Sequence, residues 1–338
     1  MPSPKIFLTG ASGYVGGDLL YALLSAHPDW ESSITVLLRN TSYATTFKSA
    51  YPKINLIFAS HEDKAAIAKA VAEHDLVLHF ALSADHLPSA EAIVSGLETR
   101  GGGIYIHTGG TDVLLDPHAE QHSSGEGVCV KTFDDWEGIG ELVSLPDTAP
   151  HRNVDKFVLS SGSDTLKTAI ICPSTVYGAG RGLISQRSDQ IPNLAKLTLQ
   201  QKMGLQLSDG KTFWNCVHVY DLSRLYVRFI EQSISGGELT WNEEGYYLVE
   251  SGTYFWGDIS RRIAKEAYNL GLLPSEQMKV VEMKDREILE PAGRPVGNYA
   301  VKAKAVRARK LLGWTPVEGS LEQEIPAIVL AEAKSMGL

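Results

Sequence analysis

Residues 5–17 read KIFLTGASGYVGG, and this stretch decides the fold. The apolar run Ile6–Leu8 predicts a short buried strand, and the leucines that follow residue 17 recur at helical spacing. Between the two lie Gly10, Gly13 and Gly16, in the spacing G-x-x-G-x-x-G. The order of strand, glycine turn and helix predicts the start of a βαβ unit.

Each glycine has its own purpose in such a turn. Gly10 would let the chain turn sharply, Gly13 would let a ligand approach the backbone, and Gly16 would let the helix pack closely on the strand. The N-terminus of the helix presents free N–H groups and the positive end of the helix dipole. Because this arrangement binds phosphate, the stretch predicts a site for the pyrophosphate of a dinucleotide.

The composition is that of an ordinary globular protein. The 338 residues are 43% hydrophobic and 21% charged, and the length suffices for a large core in one or two domains. A net charge of −9 argues against nucleic acid or a membrane surface as partner, and neither a signal peptide nor a membrane-spanning run is evident. The three cysteines form no metal or redox motif. We therefore expect a cytoplasmic protein with a small-molecule substrate.

Strands and helices alternate through the first half of the chain. Strands are predicted over residues 34–38, 54–59, 76–81 and 104–107, and helices over 64–73 and 89–100. This alternation predicts an α/β fold with a Rossmann-like, doubly wound parallel sheet.

The second predicted strand ends at Arg39. In a dinucleotide-binding fold this position faces the ribose of the adenosine. An acidic residue there favours NAD, whereas an arginine suits the 2′-phosphate of NADP. Arg39 therefore predicts NADP(H) as the cofactor.

Four motifs, in the right order, resemble the extended, epimerase-like branch of the short-chain dehydrogenase/reductase superfamily. The first is the glycine turn with Thr9 before it, and the second is residues 173–178, which read PSTVYG. The third is residues 214–222, WNCVHVYDL, and the fourth is residues 311–316, LLGWTP. The resemblance spans most of the chain and implies a nicotinamide dinucleotide as cofactor.

The resemblance also implies which residues hold that cofactor. They belong to the glycine turn, the ends of the second and fourth strands, the helix of Lys156 and the turn after Pro173: Thr9, Gly10, Ser12, Gly13, Tyr14, Val15, Gly16, Arg39, Phe80, Ala81, Leu82, Lys156, Pro173, Ser174 and Val176. No metal site is expected, since the histidine spacing matches no ligand pattern.

The chain departs from the superfamily at its catalytic motif. Members carry Tyr-x-x-x-Lys, in which the lysine binds the nicotinamide ribose and the tyrosine transfers a proton. Lys156 fits the lysine, but Arg152 stands four residues before it, and no tyrosine of the chain precedes a lysine at that spacing. Arginine cannot donate a proton near neutral pH. The usual acid is therefore missing from its usual place.

Three alternatives remain for the proton transfer. His151 could act instead, because histidine titrates near the working pH. A donor from elsewhere, such as His107, Tyr105 or Tyr177, could fill the space. The third alternative is that the transfer is absent and the protein binds its cofactor without turnover.

The end of the fifth strand raises a related question. Family members place a Ser/Thr pair there, and one of the two polarises the substrate carbonyl, whereas this chain has Thr108 followed by Gly109. The hydroxyl is kept by Thr108 or by Thr111, or it is lost. The candidate catalytic residues are thus Lys156, Thr108, His107 and His151.

The resemblance divides the chain into two parts. Residues 1–180 are expected to form the dinucleotide-binding domain, on which residues 212–241 and about 300–325 pack back. Residues 181–211 and 242–299 are expected to form a small, discontinuous C-terminal lobe that binds the substrate.

These observations favour an NADPH-dependent reductase that acts on a small carbonyl or imine compound. The alternatives are a nucleotide-sugar epimerase or dehydratase, and a non-catalytic NADP-sensing protein. A sugar-nucleotide enzyme would grip a diphosphate, for which Arg181, Arg187 and Arg294 are the candidates. The acidic and aromatic residues 134–137 could face the substrate. The resemblance also allows a homodimer.

Overall fold

The structure, a computed structural model, describes residues 3–115, 131–292 and 300–338. Within these ranges the strands are β1 (Ile6–Thr9), β2 (Ile34–Leu38), β3 (Asn55–Phe58), β4 (Leu76–His79), β5 (Gly103–Thr108), β6 (Thr132–Asp134), β7 (Leu166–Pro173), β8 (Thr175–Tyr177), β9 (Gly204–Leu207), β10 (Phe213–His218), β11 (Tyr246–Val249), β12 (Gly252–Phe255), β13 (Met278–Val281) and β14 (Lys302–Lys304).

The α-helices of the same ranges are α1 (Tyr14–Ala26), α2 (Ala44–Ala50), α3 (Lys64–Val71), α4 (Leu87–Arg100), α5 (Ile139–Leu142), α6 (Arg152–Ser160), α7 (Gln190–Gln201), α8 (Val219–Ser235), α9 (Trp256–Asn269), α10 (Arg307–Leu312) and α11 (Leu321–Ser335). Short 3-10 helices connect several of these elements.

Seven strands form the central sheet, in the order β11-β7-β5-β4-β1-β2-β3, and every neighbouring pair is parallel. The strand order reverses beside β1, where the chain moves from β3 across to β4. In such sheets ligands bind outside the carboxyl ends of the strands at this reversal. The predicted doubly wound α/β fold is confirmed.

Helices cover both faces of the sheet, which explains why its strands are apolar along their whole length. In β1, Phe7 faces one hydrophobic cluster, to which α3, α4 and α6 contribute, whereas Ile6 and Leu8 face the other, to which α1 and α8 contribute. All three side chains are fully buried. Side chains of β1 thus alternate between the two hydrophobic clusters, which anchors the strand in the sheet. The glycine turn, which follows β1, is thereby held at the edge of the sheet.

The expected substrate lobe differs from the structure at one strand. Residues 246–249 were expected in the lobe, but β11 pairs in parallel with β7 and extends the central sheet. All four of its side chains are buried. A strand buried on both faces belongs inside a layered sheet, so the run YYLV was better suited to the sheet than to a surface lobe.

The remaining lobe elements pack on one another. Helices α7 and α9 lie against each other and against α11, and β9 pairs with β13. The C-terminal helix thus belongs to the lobe, while α10 packs on α8 and β11 of the larger part. The candidate Arg294 lies outside the described residues. Across the described ranges, no helix combines the length and apolar character required to cross a membrane.

Candidate active site

The glycine turn has no room for side chains at two of its three positions. Gly10 has a φ of +78°, and a Cβ there would lie 2.8 Å from backbone atoms of Phe80 and Ala81. A Cβ on Gly16 would lie 2.5 Å from the carbonyl oxygen of Gly10. Gly10 is therefore required both by its left-handed backbone and by the close approach of the chain that leaves β4.

Helix α1 starts directly at this turn and is left open at its N-terminus. Gly13 is the N-cap, no side chain caps the helix, and its first turn contains no acidic residue. The backbone N–H groups of Tyr14, Val15 and Gly16 thus begin the helix without a carboxylate beside them. Ser12 is half-buried beside them. This end of α1 fits the pyrophosphate of a dinucleotide.

Thr9 has a structural role. It is 1% exposed, and its hydroxyl oxygen accepts hydrogen bonds from the backbone N–H groups of Phe80 (3.1 Å) and Ala81 (3.2 Å). It thereby holds the end of β4 against the end of β1. Because the side chain is buried, the structure gives it this role in the fold, and the contact of Thr9 with a cofactor stays a prediction.

The chain after β4 lies at the mouth of the crevice. Phe80 and Ala81 are half-buried, and Leu82 is 60% exposed with a φ of +51°. A left-handed backbone is unusual for leucine and marks a constrained turn. Phe80 and Ala81 therefore lie beside the glycine turn, and the exposed Leu82 follows them directly in the chain.

Arg39 follows β2 and is exposed. Among the described residues, none forms a hydrogen bond or ion pair with the Arg39 guanidinium, which leaves it free to meet an anionic ligand.

Tyr14, another predicted cofactor residue, turns its hydroxyl away from the glycine turn. This hydroxyl donates a hydrogen bond to the carbonyl of Gly178 (2.6 Å).

The turn after β7 provides the opposite wall. Pro173 and Ser174 are buried and Val176 is half-buried. The Ser174 hydroxyl is buried and has no hydrogen-bond partner within the described ranges. Buried hydroxyls are nearly always paired, so this orphan fits a ligand group at the carboxyl end of β7. Tyr177 donates its hydroxyl hydrogen to the carbonyl of Gly319 (2.8 Å) and is a packing residue.

Helix α6 presents a different face from the one that the sequence predicted. The Lys156 side chain is 56% exposed and its ammonium group donates to both carboxylate oxygens of Asp147 (2.8 and 3.0 Å). Arg152 is instead buried, and its guanidinium donates to the carbonyls of Leu145 and Val143. Lys156 thus lies on the outer face of α6, and the predicted contact with the nicotinamide ribose does not fit this placement.

The inner side of α6 carries His151 and Asp155, which are also four residues apart. His151 is the N-cap, with a φ of +65°, and Asp155 is fully buried. Residues at i and i+4 of a helix lie on the same face, one turn apart. The inward pair with the spacing of Tyr-x-x-x-Lys is therefore His151 and Asp155, one residue before the pair that the sequence predicted.

His151 is held by a carboxylate from another element. Its Nδ1 lies 2.7 Å from Oδ1 of Asp85, in the loop that connects β4 and α4. Its Nε2 would lie 3.3 Å from a Cβ on Gly110, and within the described ranges it has no hydrogen-bond partner. The ring is 12% exposed. His151, Asp85 and Gly110 thus meet where the carboxyl ends of β4 and β5 adjoin.

The other catalytic candidates are engaged within the core. The Thr108 hydroxyl lies 2.7 Å from the hydroxyl of Tyr226, and the Thr111 hydroxyl accepts a hydrogen bond from Trp214 Nε1 (3.3 Å). His107 is fully buried, and burial holds its pKa well below the usual range. All three groups are more deeply buried than the His151 ring, which is 12% exposed.

The arginines proposed for a diphosphate are paired with acidic residues. Arg181 donates two guanidinium hydrogen bonds to the fully buried carboxylate of Asp18 (2.9 and 2.7 Å), and its guanidinium lies 3.9 Å from the ring centroid of Tyr220. Arg187 donates to Glu332 (2.7 Å) and to Asn193 (2.8 Å). Both side chains therefore stabilise the fold.

Within residues 134–137, Asp135 has a role in the fold. Asp135 is fully buried, accepts backbone hydrogen bonds from Leu248, Val306 and Arg307, and does not face a substrate. Sequence reasoning missed Asp85 and Asp155 as site residues. The second had a signal, since His151-x-x-x-Asp155 repeats the family spacing, but Asp85 had none because its partner lies 66 residues away.

Comparison with known proteins agrees with the fold. Residues 6–101 match the model of the NAD dependent epimerase/dehydratase family. An oxidase, ucsJ of an Acremonium species, is 34% identical over 99% of both chains. A dTDP-glucose 4,6-dehydratase of Streptomyces venezuelae, solved with NAD, has a TM-score of 0.69 at 16% identity and 98% coverage of both chains. A UDP-glucose 4-epimerase of Thermotoga maritima has a TM-score of 0.66 at 15% identity, with 98% and 99% coverage.

The fold and the glycine turn define a dinucleotide-binding enzyme of the Rossmann type. The chain belongs to the NAD dependent epimerase/dehydratase family, within the extended short-chain dehydrogenase/reductases. Family and relative together support an NAD(P)-dependent enzyme of the oxidoreductase or epimerase type.

Proposed function

We propose that this protein is an NADPH-dependent oxidoreductase that reduces a small carbonyl or imine compound, with His151 as the acid. The observation that carries the proposal is the His151–Asp85 pair at the carboxyl ends of β4 and β5, with the Nε2 of His151 free of protein partners among the described residues. The exposed Arg39 supports NADPH over NADH.

The residues of the site divide the chemistry between them. A bound nicotinamide dinucleotide supplies the hydride. Asp85 accepts a hydrogen bond from Nδ1–H of His151, which fixes the ring so that Nε2 faces the crevice. Nε2 then donates a proton to the oxygen or nitrogen that the hydride makes basic. The proton comes from the imidazolium form of His151, which carries a hydrogen on both nitrogens, and Arg152 takes no part.

The backbone of His151 supports an active role. Its φ of +65° is left-handed, and a non-glycine residue in that region costs on the order of 1–3 kcal/mol. Such strain persists where the surrounding structure requires a particular side-chain direction. Here the left-handed residue turns the imidazole from the start of α6 towards Asp85.

A nucleotide-sugar substrate receives less support. Arg181 and Arg187 are already bonded to Asp18 and Glu332, so gripping a diphosphate would break those pairs. Retention of NAD through purification would favour the epimerase alternative. A protein that binds NADPH but oxidises it with none of the tested carbonyl compounds would favour the NADP-sensing alternative.

The role of His151 is tested with His151→Asn. We expect NADPH oxidation, measured against a panel of small aldehydes, ketones and cyclic imines, to fall by roughly 10²- to 10⁴-fold, because a positioned acid contributes about that much. The dissociation constant for NADPH should stay near the wild-type value.

His27→Asn is the matched control. His27 is 17% exposed, and its Nε2 lies 2.9 Å from a carboxylate oxygen of Glu231, but it lies beyond the far end of α1 from the glycine turn. The turnover of His27→Asn should equal that of the wild type. Full turnover in His151→Asn, or an equal loss in both variants, would contradict the assignment of His151.

The cofactor preference is tested with Arg39→Asp. Removing the guanidinium and adding a carboxylate should weaken NADPH binding by roughly 10- to 100-fold, because charge-assisted hydrogen bonds to the 2′-phosphate are lost, and should leave NADH binding less affected. Titration of cofactor fluorescence measures both constants. Arg262→Asp, on the exposed face of α9, should leave the ratio unchanged. If Arg39→Asp also leaves the ratio unchanged, NADPH specificity does not depend on Arg39.

A further inference from the structure

A row of polar side chains crosses the core between the sheet and helices α4 and α6. It consists of Ser89, His79, Tyr105, His107 and Asp155, and each of them is at most 1% exposed. Titratable groups are rarely buried together in this way, because burial of each without a partner costs free energy. The proposed chemistry of His151 uses none of them directly.

The members of the row are joined in sequence. The Ser89 hydroxyl lies 3.2 Å from Nε2 of His79, and Nδ1 of His79 lies 2.8 Å from the hydroxyl of Tyr105. That hydroxyl also lies 3.0 Å from Nδ1 of His107. Nε2 of His107 then faces Oδ1 of Asp155 at 4.0 Å.

One arrangement of hydrogens connects Ser89 to His107 in a single direction. Burial lowers the pKa of His79 to about 3 and holds that of His107 well below its usual range, so both rings are neutral. A neutral imidazole donates from one nitrogen and accepts at the other. The Ser89 hydroxyl donates to the carbonyl of His86 (3.0 Å) and lies within reach of Nε2 of His79 (3.2 Å). When its hydrogen turns to His79, His79 donates to Tyr105 and Tyr105 to His107, so that every hydrogen points towards Asp155.

The last step of the row, from His107 to Asp155, is longer than a hydrogen bond. Nε2 of His107 and Oδ1 of Asp155 are both buried, and neither has a hydrogen-bond partner within the described ranges. A movement of about 1 Å would bring them to ordinary hydrogen-bond length. The other carboxylate oxygen of Asp155 accepts from the hydroxyl of Tyr246 (2.7 Å). The two unpaired atoms can therefore exchange one proton when they close.

The opposite end of the row reaches the surface. The Ser89 hydroxyl lies 3.0 Å from Nδ1 of His86, whose side chain is 12% exposed. Nε2 of His86 lies 3.1 Å from a carboxylate oxygen of Glu62, which is 66% exposed. The row thus runs from solvent-exposed groups to a carboxyl on the inner face of α6, one helical turn from His151.

We propose that Ser89, His79, Tyr105 and His107 form a proton path from solvent at His86 to Asp155. A proton that passes from Nε2 of His107 to Asp155 is replaced at Nδ1 by the hydroxyl proton of Tyr105. Tyr105 regains a proton from Nδ1 of His79, Nε2 of His79 regains one from Ser89, and Ser89 regains one from Nδ1 of His86 after solvent has protonated that ring. One proton therefore enters at His86 and one reaches Asp155. That the path resupplies the site during turnover rests on the proposed function, but its existence does not.

The test is hydrogen exchange of the His107 imidazole in the free protein, which needs neither cofactor nor substrate. In protein with ¹⁵N-labelled histidine, nuclear magnetic resonance measures how fast the His107 N–H hydrogen exchanges with water. Tyr105→Phe removes one hydroxyl and keeps the ring. We expect it to slow that exchange at least tenfold, because the path is cut between His107 and the surface.

If Tyr105 had a purely structural role, Tyr105→Phe would change the exchange rate of His107 in the opposite direction. The loss of a buried hydrogen bond loosens the core and speeds exchange. Faster or unchanged exchange in Tyr105→Phe therefore overturns the proposal. Tyr247→Phe is the matched control, because Tyr247 is equally buried and donates to the carbonyl of Thr240 (2.9 Å), away from the row. It should leave His107 exchange unchanged.

Ser89→Ala interrupts the path at a second place, its outer end, by a smaller change of side chain. It removes the hydroxyl but keeps the backbone N–H that donates to His86 at the start of α4. It should also slow His107 exchange, and unchanged exchange would remove Ser89 from the path. His151→Asn should leave exchange unaltered, so the result stands whether or not His151 proves to be the acid.

Discussion

Gly10 and Gly13 belong to one motif but meet different constraints. Gly10 is left-handed and faces backbone atoms at 2.8 Å, whereas a Cβ on Gly13 would meet only the carbonyl oxygen of Gly10, at 3.1 Å. Gly13 is therefore needed less by the fold than by the ligand that approaches it. The two positions separate the folding requirement of the motif from its binding requirement.

Alanine substitutions should show this difference. Gly10→Ala combines a backbone clash with a left-handed alanine, and we expect it to lower the free energy of unfolding by about 2–4 kcal/mol. Gly13→Ala should lower it by less than about 1 kcal/mol while weakening cofactor binding at least tenfold. Urea unfolding and cofactor titration measure the two effects.

Gly101→Ala is the control for backbone conformation alone, because Gly101 has a φ of +94° and a Cβ there would meet nothing within 4 Å. It should cost about 1 kcal/mol and leave cofactor binding intact. Equal costs at Gly10 and Gly101 would mean that the contact with Phe80 and Ala81 gives way easily.

At the scale of an element, helix α6 shows how a shift of one residue exchanges two faces. Arg152, Val154, Asp155 and Val158 are buried, whereas Lys156 is exposed. Adjacent residues of a helix point about 100° apart, so an alignment that is one residue out changes a core position into a surface position. Sequence spacing pointed to this helix, whereas the structure places a different pair, His151 and Asp155, on its inner face.

Lys156→Ala decides between the two pairs. Because the ammonium group lies in solvent beside Asp147, we expect cofactor affinity within about twofold of the wild type and little change in stability. Lys64→Ala is the matched control, because Lys64 on α3 forms a similarly exposed ion pair with Glu91 on α4. It should likewise leave cofactor affinity and stability nearly unchanged. A large loss of cofactor affinity in Lys156→Ala alone would restore the ribose contact that the sequence predicted.

At the scale of the whole molecule, buried carboxyls make stability depend on pH. Burial raises the pKa of both Asp135 and Asp155 to about 6. A carboxyl whose folded pKa is raised contributes stability that is present below its unfolded pKa, near 4, and is lost as the pH rises through about 6. These two groups therefore favour the folded state more at pH 4 than at pH 8.

Asp155→Asn should remove the part of the pH dependence of stability that Asp155 contributes. Relative to the wild type, the variant should gain on the order of 2–3 kcal/mol in unfolding free energy between pH 4 and pH 8, because the wild-type protein alone must ionise a buried carboxyl. Urea unfolding at several pH values measures the difference. The exposed Asp29→Asn should show no such trend, and a constant difference for Asp155→Asn would mean that its carboxyl titrates normally.

Local sequence determined much of this protein. The glycine turn, the order of strands and helices, and the resemblance to the epimerase/dehydratase family follow from short stretches, because strand, turn and helix preferences act over a few residues. The structure and the comparisons confirm these predictions. The NADPH preference inferred from Arg39 also rests on a single position and stays a prediction.

Tertiary structure decided the contents of the site. Asp85 meets His151 across 66 residues, and Asp18 occupies Arg181 across 163, so no local pattern predicts either pair. The place of β11 in the central sheet and the inward face of α6 likewise depend on packing between distant segments. Sequence patterns specify which elements form, whereas side-chain partners depend on which elements pack together, and that is set by the whole chain.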